Sequence, residues 1–365
     1  MFVVRTILGL VAVAACGRIG FDGSDAIDGS VDTPPGDAPE VLGTIACAAT
    51  RTPIVTQNPR QLAVEGASTP LVAWTTTDGA FYAGILDAND TLTATTTLFG
   101  PQFIDRVVSA HPIATGHAFV IEVAGVEALY ALDATLTNAT LRGSGRPGVG
   151  RGSLTGFGAY VFWGHVPTGQ ANAVLFERLD ANGVPTAQSN RITGAEVRDL
   201  VIGGADDIHA HVVWAEANDT CTASELFGGV PDLVDIGTRT GCRSPRNASG
   251  VGDSLVTSYA TPTGALRLYA VSNEYVHDIE LSPAAMSPTL ADDGTVVWAT
   301  WFDGRVGGAL VLAKIELSTS VVVTVRQLTG VAPVAMDAVA LVADSSPAKI
   351  VVLEAGSLAV VEPCL

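Results

Sequence analysis

Two markers recur along this chain at the same spacing, and that spacing limits the possible folds more than any other feature. The first is a Leu-Asp-Ala step beginning at Leu86, Leu132 and Leu179, 46 and then 47 residues apart. Continued at that period, it falls on Leu226, Val271, Ile315 and Val361, each in or at the end of an apolar, strand-like run. The second series marks the preceding run: Trp74, Phe119, Trp163, Trp214, Tyr259, Trp298 and Val352. The best-formed copy spans residues 286–328. It has four short apolar runs, one before Asp292-Asp293-Gly294 and the others through Trp298, Leu312 and Val323. Four strands in a meander cannot bury both faces by themselves, so each unit needs copies to stack against.

A period of about 40–50 residues with four strands per unit reads as a β-propeller. Val, Thr, Ala and Gly are abundant, and few segments show a helical period, so the fold class is all-β. No Pro/Gly/Ser-rich boundary interrupts residues 45–365, which are expected to form one propeller domain. Roughly from Ala46 to Leu365, the chain resembles bacterial propeller repeats of the type strand with Trp, Asp/Gly turn, strand, Leu-Asp-x-x-Gly turn, strand. It departs from better-known variants. Asp292-x-Gly294 precedes its Trp strand, out of register for a sialidase Asp-box, and the WD40 Gly-His and Trp-Asp dipeptides are absent in register. The last copy has only three runs, Asp337 to Val342, Ile350 to Leu353 and Leu358 to Val361. The run Thr44 to Thr56 is expected to supply the missing outer strand, closing the ring by pairing the chain's two ends. Seven four-stranded blades are expected, with six or eight as alternatives.

The N-terminus reads as an export signal over residues 1–15. Arg5 is followed by an apolar stretch, Thr6 to Val13, too short to cross a bilayer as a helix, and by the small pair Ala14-Ala15. Val13-Ala14-Ala15-Cys16 resembles the bacterial lipobox. The resemblance implies cleavage before Cys16 and its lipidation by a thioether-linked diacylglycerol plus N-acylation. Several acyl chains, at roughly 0.8 kcal/mol per buried CH₂, make a stable anchor. Position 17 is Gly rather than Asp, which by resemblance to lipoprotein sorting in Gram-negative bacteria implies the outer membrane. Residues 16–44 carry five Asp and one Glu against Arg18, with Gly, Ser and Pro filling most of the rest, and are expected to form a flexible acidic tether.

With Cys16 assigned to lipid, four cysteines remain, allowing three pairings. The propeller register favours Cys221–Cys242, which flank a hairpin turning at Gly228-Gly229 to Pro231, and Cys47–Cys364, from the proposed closing strand and its partner. The chain-entropy model assigns about 3 kcal/mol to the short loop and at most about 5–6 to the long one. Non-reducing peptide mapping is expected to recover Cys47 joined to Cys364. A Cys47 peptide linked to Cys221 or Cys242 would overturn the pairing.

Several chemistries are disfavoured. A net charge of −18 opposes nucleic acid binding, which needs a basic patch. Lys314 and Lys349 are the only lysines, so membrane contact is expected through the lipid anchor alone. His209-x-His211 places two imidazoles on one face of a strand, with Asp206 and Asp207 nearby, but no third ligand has a recognisable spacing. No metal or cofactor is expected, and His211 to Trp214 reads as an inner strand. Asp87-Ala-Asn89-Asp90 and Asp180-Ala-Asn182-Gly183 read as tight-turn chemistry, not calcium loops. Gly-x-Ser-x-Gly, His-Glu-x-x-His and phosphate-loop motifs are missing. The richest polar-aromatic cluster runs from Trp298 to Arg305, and its Trp301, Asp303 and Arg305 are the candidate ligand surface. The expected function is a monomeric, envelope-anchored, non-enzymatic binding or scaffold module for a protein or glycan. The alternatives are a glycan-directed hydrolase or lyase using acidic and His residues at the channel mouth, or a purely structural envelope protein.

Overall fold

The computed structural model describes residues 40–41 and, from 44 to 363, all but positions 57, 65–69, 100–103, 146–153, 158, 205–207, 230, 252–253, 273–275, 293–295, 304–308, 318–321, 332–338 and 343–348. Every regular element among them is a β-strand, and the strands form seven sheets arranged as blades of a propeller ring. Blades 1 to 6 cover residues 59–99, 104–145, 154–192, 197–240, 243–282 and 285–329, and each is a four-stranded antiparallel meander in chain order. Blade 7 takes three strands from the C-terminal end, Val339–Val342, Lys349–Glu354 and Ser357–Glu362, and its fourth from Thr50–Val55.

Burial follows position in the blade. The second strands, such as Leu71–Thr76 and Val297–Asp303, are buried at every residue because a neighbouring blade covers each face. The fourth strands lie at the periphery, and Pro185–Ile192 alternates strictly between half-buried and exposed residues. The first strand of each blade contacts the first strand of the next, and that of blade 7 contacts that of blade 1. Polar latches join these inner strands at a spacing of one repeat. Gln61 Oε1 accepts from Val107 N–H (3.2 Å) while its amide donates to Asp105 O, and Ser109 Oγ accepts from Leu154 N–H (3.3 Å). Arg246 donates to Asp199 (2.6 Å), and Thr289 Oγ1 donates to Val339 O (3.3 Å). The Arg246–Asp199 pair thus joins blade 4 to blade 5. Losing one neutral bond of this kind costs about 1 kcal/mol, and breaking the partly buried Arg246–Asp199 pair costs more than that but less than the ~3–5 kcal/mol of a fully buried pair.

Both periodic series have structural counterparts. Trp74, Phe119, Trp163, Trp214 and Tyr259 lie on second strands and pack against the preceding blade. In blade 6 that place belongs to Trp301, which packs on Val256, Leu266 and Leu268 of blade 5. Trp298 instead packs on Val339 and Ile350 of blade 7. Residues three apart on a strand point to opposite faces, so only one of the two can belong to the series. The Leu-Asp-Ala steps end third strands in tight turns. Asp87 accepts from Asn89 and Thr91 N–H (2.8 and 2.9 Å), and Asp180 from Asn182 and Val184 N–H (2.8 and 2.9 Å). The residue three positions after each Asp is left-handed: Asp90 (φ 59°), Leu136 (58°) and Gly183 (74°). Asp133 accepts from Thr137 N–H, the Asn138 amide and the Thr135 hydroxyl, which hold its carboxyl well below the usual carboxylate range.

The N-terminal run divides between two blades. Glu40–Val41 and Ile45–Ala48 add in parallel to the outer strand of blade 6, pairing with Val322–Val323 and Arg326–Thr329. The chain then crosses so that Thr50–Val55 pairs with Ser357–Glu362. Only the second half of the run 44–56 therefore occupies the place assigned to it, and the acidic tether is already paired at Glu40. Cys47 is buried between blades 6 and 7 against Leu328 and Val361 and is disulfide-bonded, whereas Cys16 and Cys364 lie outside the described residues. Cys221 and Cys242 form a disulfide with Cα atoms 5.5 Å apart.

Candidate functional site

Two of the three residues expected to offer a ligand surface, Trp301 and Asp303, are buried. Trp301 is 2% exposed and Asp303 4%, with Asp303 accepting from Ser282 Oγ at 3.3 Å, and Arg305 lies outside the described residues. The aromatic is core because the second strand of a blade is covered on both faces.

A different region carries the features of a site. It lies where first strands end and second strands begin, the rim that also holds the turns between third and fourth strands. In blades 1 to 3 the third strand ends in the capping residues Asp87, Asp133 and Asp180; in blade 4 that position is Phe227. The turn there runs through Gly228 and Gly229, and Phe227 N–H donates to Asp232 O (3.1 Å), the same five-residue closure that Asp133 N–H makes to Asn138 O (3.2 Å) in blade 2. A cleft of about 450 Å³ lies between blades 3 and 4, lined by Tyr160, Ile208, Phe227, Gly229, Asp232 and Val234. Ile208 is 61% exposed and Val234 47%, a high exposure for branched aliphatic residues side by side.

The cleft wall is held by blade 3. The Arg178 guanidinium lies over the Tyr160 ring at 5.7 Å and donates to Gly228 O (3.1 Å) and Gly229 O (3.0 Å). A side chain at Gly228 would overlap the Tyr160 ring, so this close approach requires glycine. Arg191 makes a second tie, donating to Leu233 O (3.3 Å) and Asp235 (2.8 Å). Two such ties fix the turn before any ligand arrives, which lowers the ordering cost of binding.

Beside the cleft, the second strand of blade 4, His209–Glu216, places His209 and His211 on the face toward blade 5. His211 lies directly opposite Glu225 on the third strand, and His209 opposite Phe227. One donor atom from each of His209, His211 and Glu225 lies within 4.8 Å of the others. The sequence spacing offers no third ligand to the His pair; strand register supplies it. This strand is the second of its blade, not the inner one. The Leu-Asp-Ala step is lost at Leu226-Phe227, but it is lost equally at Val271-Ser272, Ile315-Glu316 and Val361-Glu362, so nothing in the sequence singles this region out.

No family model matches the chain, and no curated protein matches it. Solved structures match by shape. One is Saccharomyces cerevisiae Sqt1, with TM-score 0.50 and 11% identity over 88% of this chain and all of that one. Another is BBS1N in complex with ARL6DN, with TM-score 0.53 and 9% identity over 87% and 97%. A chain of the mitotic checkpoint complex matches with TM-score 0.55 and 12% identity over 90% and 96%. At this level of identity the likeness establishes the propeller fold and nothing finer.

Proposed function

We propose that this chain is a lipid-anchored envelope protein, held at the outer membrane through Cys16, whose propeller is a non-enzymatic binding module for a protein partner. The observation that carries the reading is the apolar cleft of Tyr160, Ile208, Phe227 and Val234, exposed at a rim and braced by Arg178. Apolar side chains in a pre-formed pocket suit the anchor residue of a protein ligand. The net charge of −18 and Asp232 at the cleft favour a partner with basic residues around that anchor. Two of the similar folds come from structures of protein complexes, which supports a protein over a glycan as the partner class.

The test compares the wild type with Ile208→Asp and Val234→Asp in affinity capture from envelope extract. Both positions are exposed, so unfolding free energies should stay within about 0.5 kcal/mol of wild type. The expected result is a protein recovered with the wild type and lost with both variants. Identical recovery with all three, or recovery of glycan alone, overturns the reading. Cys16→Ser should abolish acyl-chain labelling and release the protein from the membrane fraction; persistent labelling overturns the anchor.

A further inference from the structure

We propose that His209, His211 and Glu225 form a binding site for a divalent transition-metal ion of the zinc class, with one coordination position left for an external ligand. Neighbouring strands fix all three positions. His209 and His211 are two apart on one strand and so share a face. Glu225 is the direct cross-strand partner of His211, which puts their Cβ atoms about 5 Å apart. On the other side, the partner of His211 is Gly203, which adds no side chain to that face. The Cys221–Cys242 disulfide pins the third strand four residues before Glu225.

The donor separation is near what coordination requires. Bonds of about 2.0–2.1 Å in a tetrahedral arrangement hold donor atoms roughly 3.4 Å apart. The three donors lie within 4.8 Å of one another. Closing that difference takes donor displacements of at most about 1.4 Å, within reach of side-chain rotation at half-buried His209 and Glu225. Two imidazoles and one carboxylate suit zinc and its first-row neighbours, whereas calcium and magnesium require oxygen ligands. Three protein ligands leave a fourth position, and His209 stands 5.9 Å from the Phe227 ring that lines the cleft. An external carboxylate or water is the class of ligand that position takes. The protein's negative charge adds a general attraction for cations.

The experiment uses the full chain without a polyhistidine tag. Zinc is titrated calorimetrically, and cobalt(II) serves as the optical probe of coordination. The expected result is one zinc per chain with micromolar or tighter affinity, and a cobalt absorption of four-coordinate character. His209→Ala and Glu225→Gln, both at half-buried positions, should each weaken zinc at least tenfold while the metal-free unfolding midpoint stays at the wild-type value. His211→Ala is set aside because its burial makes misfolding the expected outcome. Failure to take up stoichiometric zinc, or equal affinity in wild type and both variants (an adventitious ion only), overturns the proposal.

Discussion

Trp301→Ala is expected to destabilise the protein by about 3–5 kcal/mol, measured as a shift of the denaturant midpoint at unchanged slope. The side chain is buried between blades 5 and 6, packed with Val256, Leu266, Leu268 and Val311, and no smaller residue fills that volume. Its indole N–H makes no hydrogen bond among the described residues, so Trp301→Phe loses area but no polar partner. That variant should cost less than about 1.5 kcal/mol. The pair of substitutions separates core from site. A ligand-contacting tryptophan would lose binding with little loss of stability, and a measured loss below about 1 kcal/mol for Trp301→Ala would restore the ligand role. The same argument applies to Trp298 on the opposite face, where the cavity would open between blades 6 and 7.

Glu127→Gln is expected to remove a pH dependence of stability. Glu127 is the second residue of the third strand of blade 2, is fully buried, and among the described residues neither of its carboxyl oxygens makes a hydrogen bond of ordinary geometry. Burial pushes its carboxyl from an ordinary value of 4.5 up to about 8. The Arg106 charge and the Trp163 indole partly offset this rise, and the Glu122 charge adds to it. Because the folded value lies above the unfolded one, the group costs stability as pH rises. Below about pH 4.5 both states hold the proton; between 4.5 and 8 the unfolded chain releases it and the folded chain keeps it. At 1.36 kcal/mol per unit, the accumulated cost is about 3 kcal/mol at pH 7. The glutamine variant is neutral throughout, so its stability relative to wild type should climb by that amount from pH 4.5 to 7. The buried amide adds a constant offset to the comparison but no slope. Parallel stability curves for the two proteins across this range would show that Glu127 ionises normally in the fold.

Much of the fold was legible because propeller information is local and repeated. Alternating apolar residues specify strands, the Leu-Asp-Ala steps specify turns through side-chain acceptance of backbone N–H groups, and a common spacing specifies stacking. That spacing favoured the seven blades that the structure shows over six or eight. Where the reading failed, the reason is geometric. In blade 6, Trp298 and Trp301 are both apolar, aromatic and on one strand, and only the phase of a two-residue alternation against neighbouring blades tells them apart. The run 44–56 was apolar enough for one strand, yet it is shared between blades 6 and 7, and the crossing at Ala49 leaves no sequence signature.

The candidate sites depended on tertiary structure more than the fold did. The cleft combines Tyr160 of blade 3 with Ile208, Phe227 and Val234 of blade 4, and the distance between them depends on blade packing. The pairing of His211 with Glu225 depends on the register of a hairpin, and one residue more or less would have turned Glu225 to the other face. The sequence by itself determined an all-β repeat and its turns, because each of these is a property of neighbours along the chain, and it favoured seven blades over six or eight. Which side chains from different strands and blades stand together was decided only by the tertiary structure, because cross-strand register and inter-blade packing are set by contacts between residues far apart along the chain.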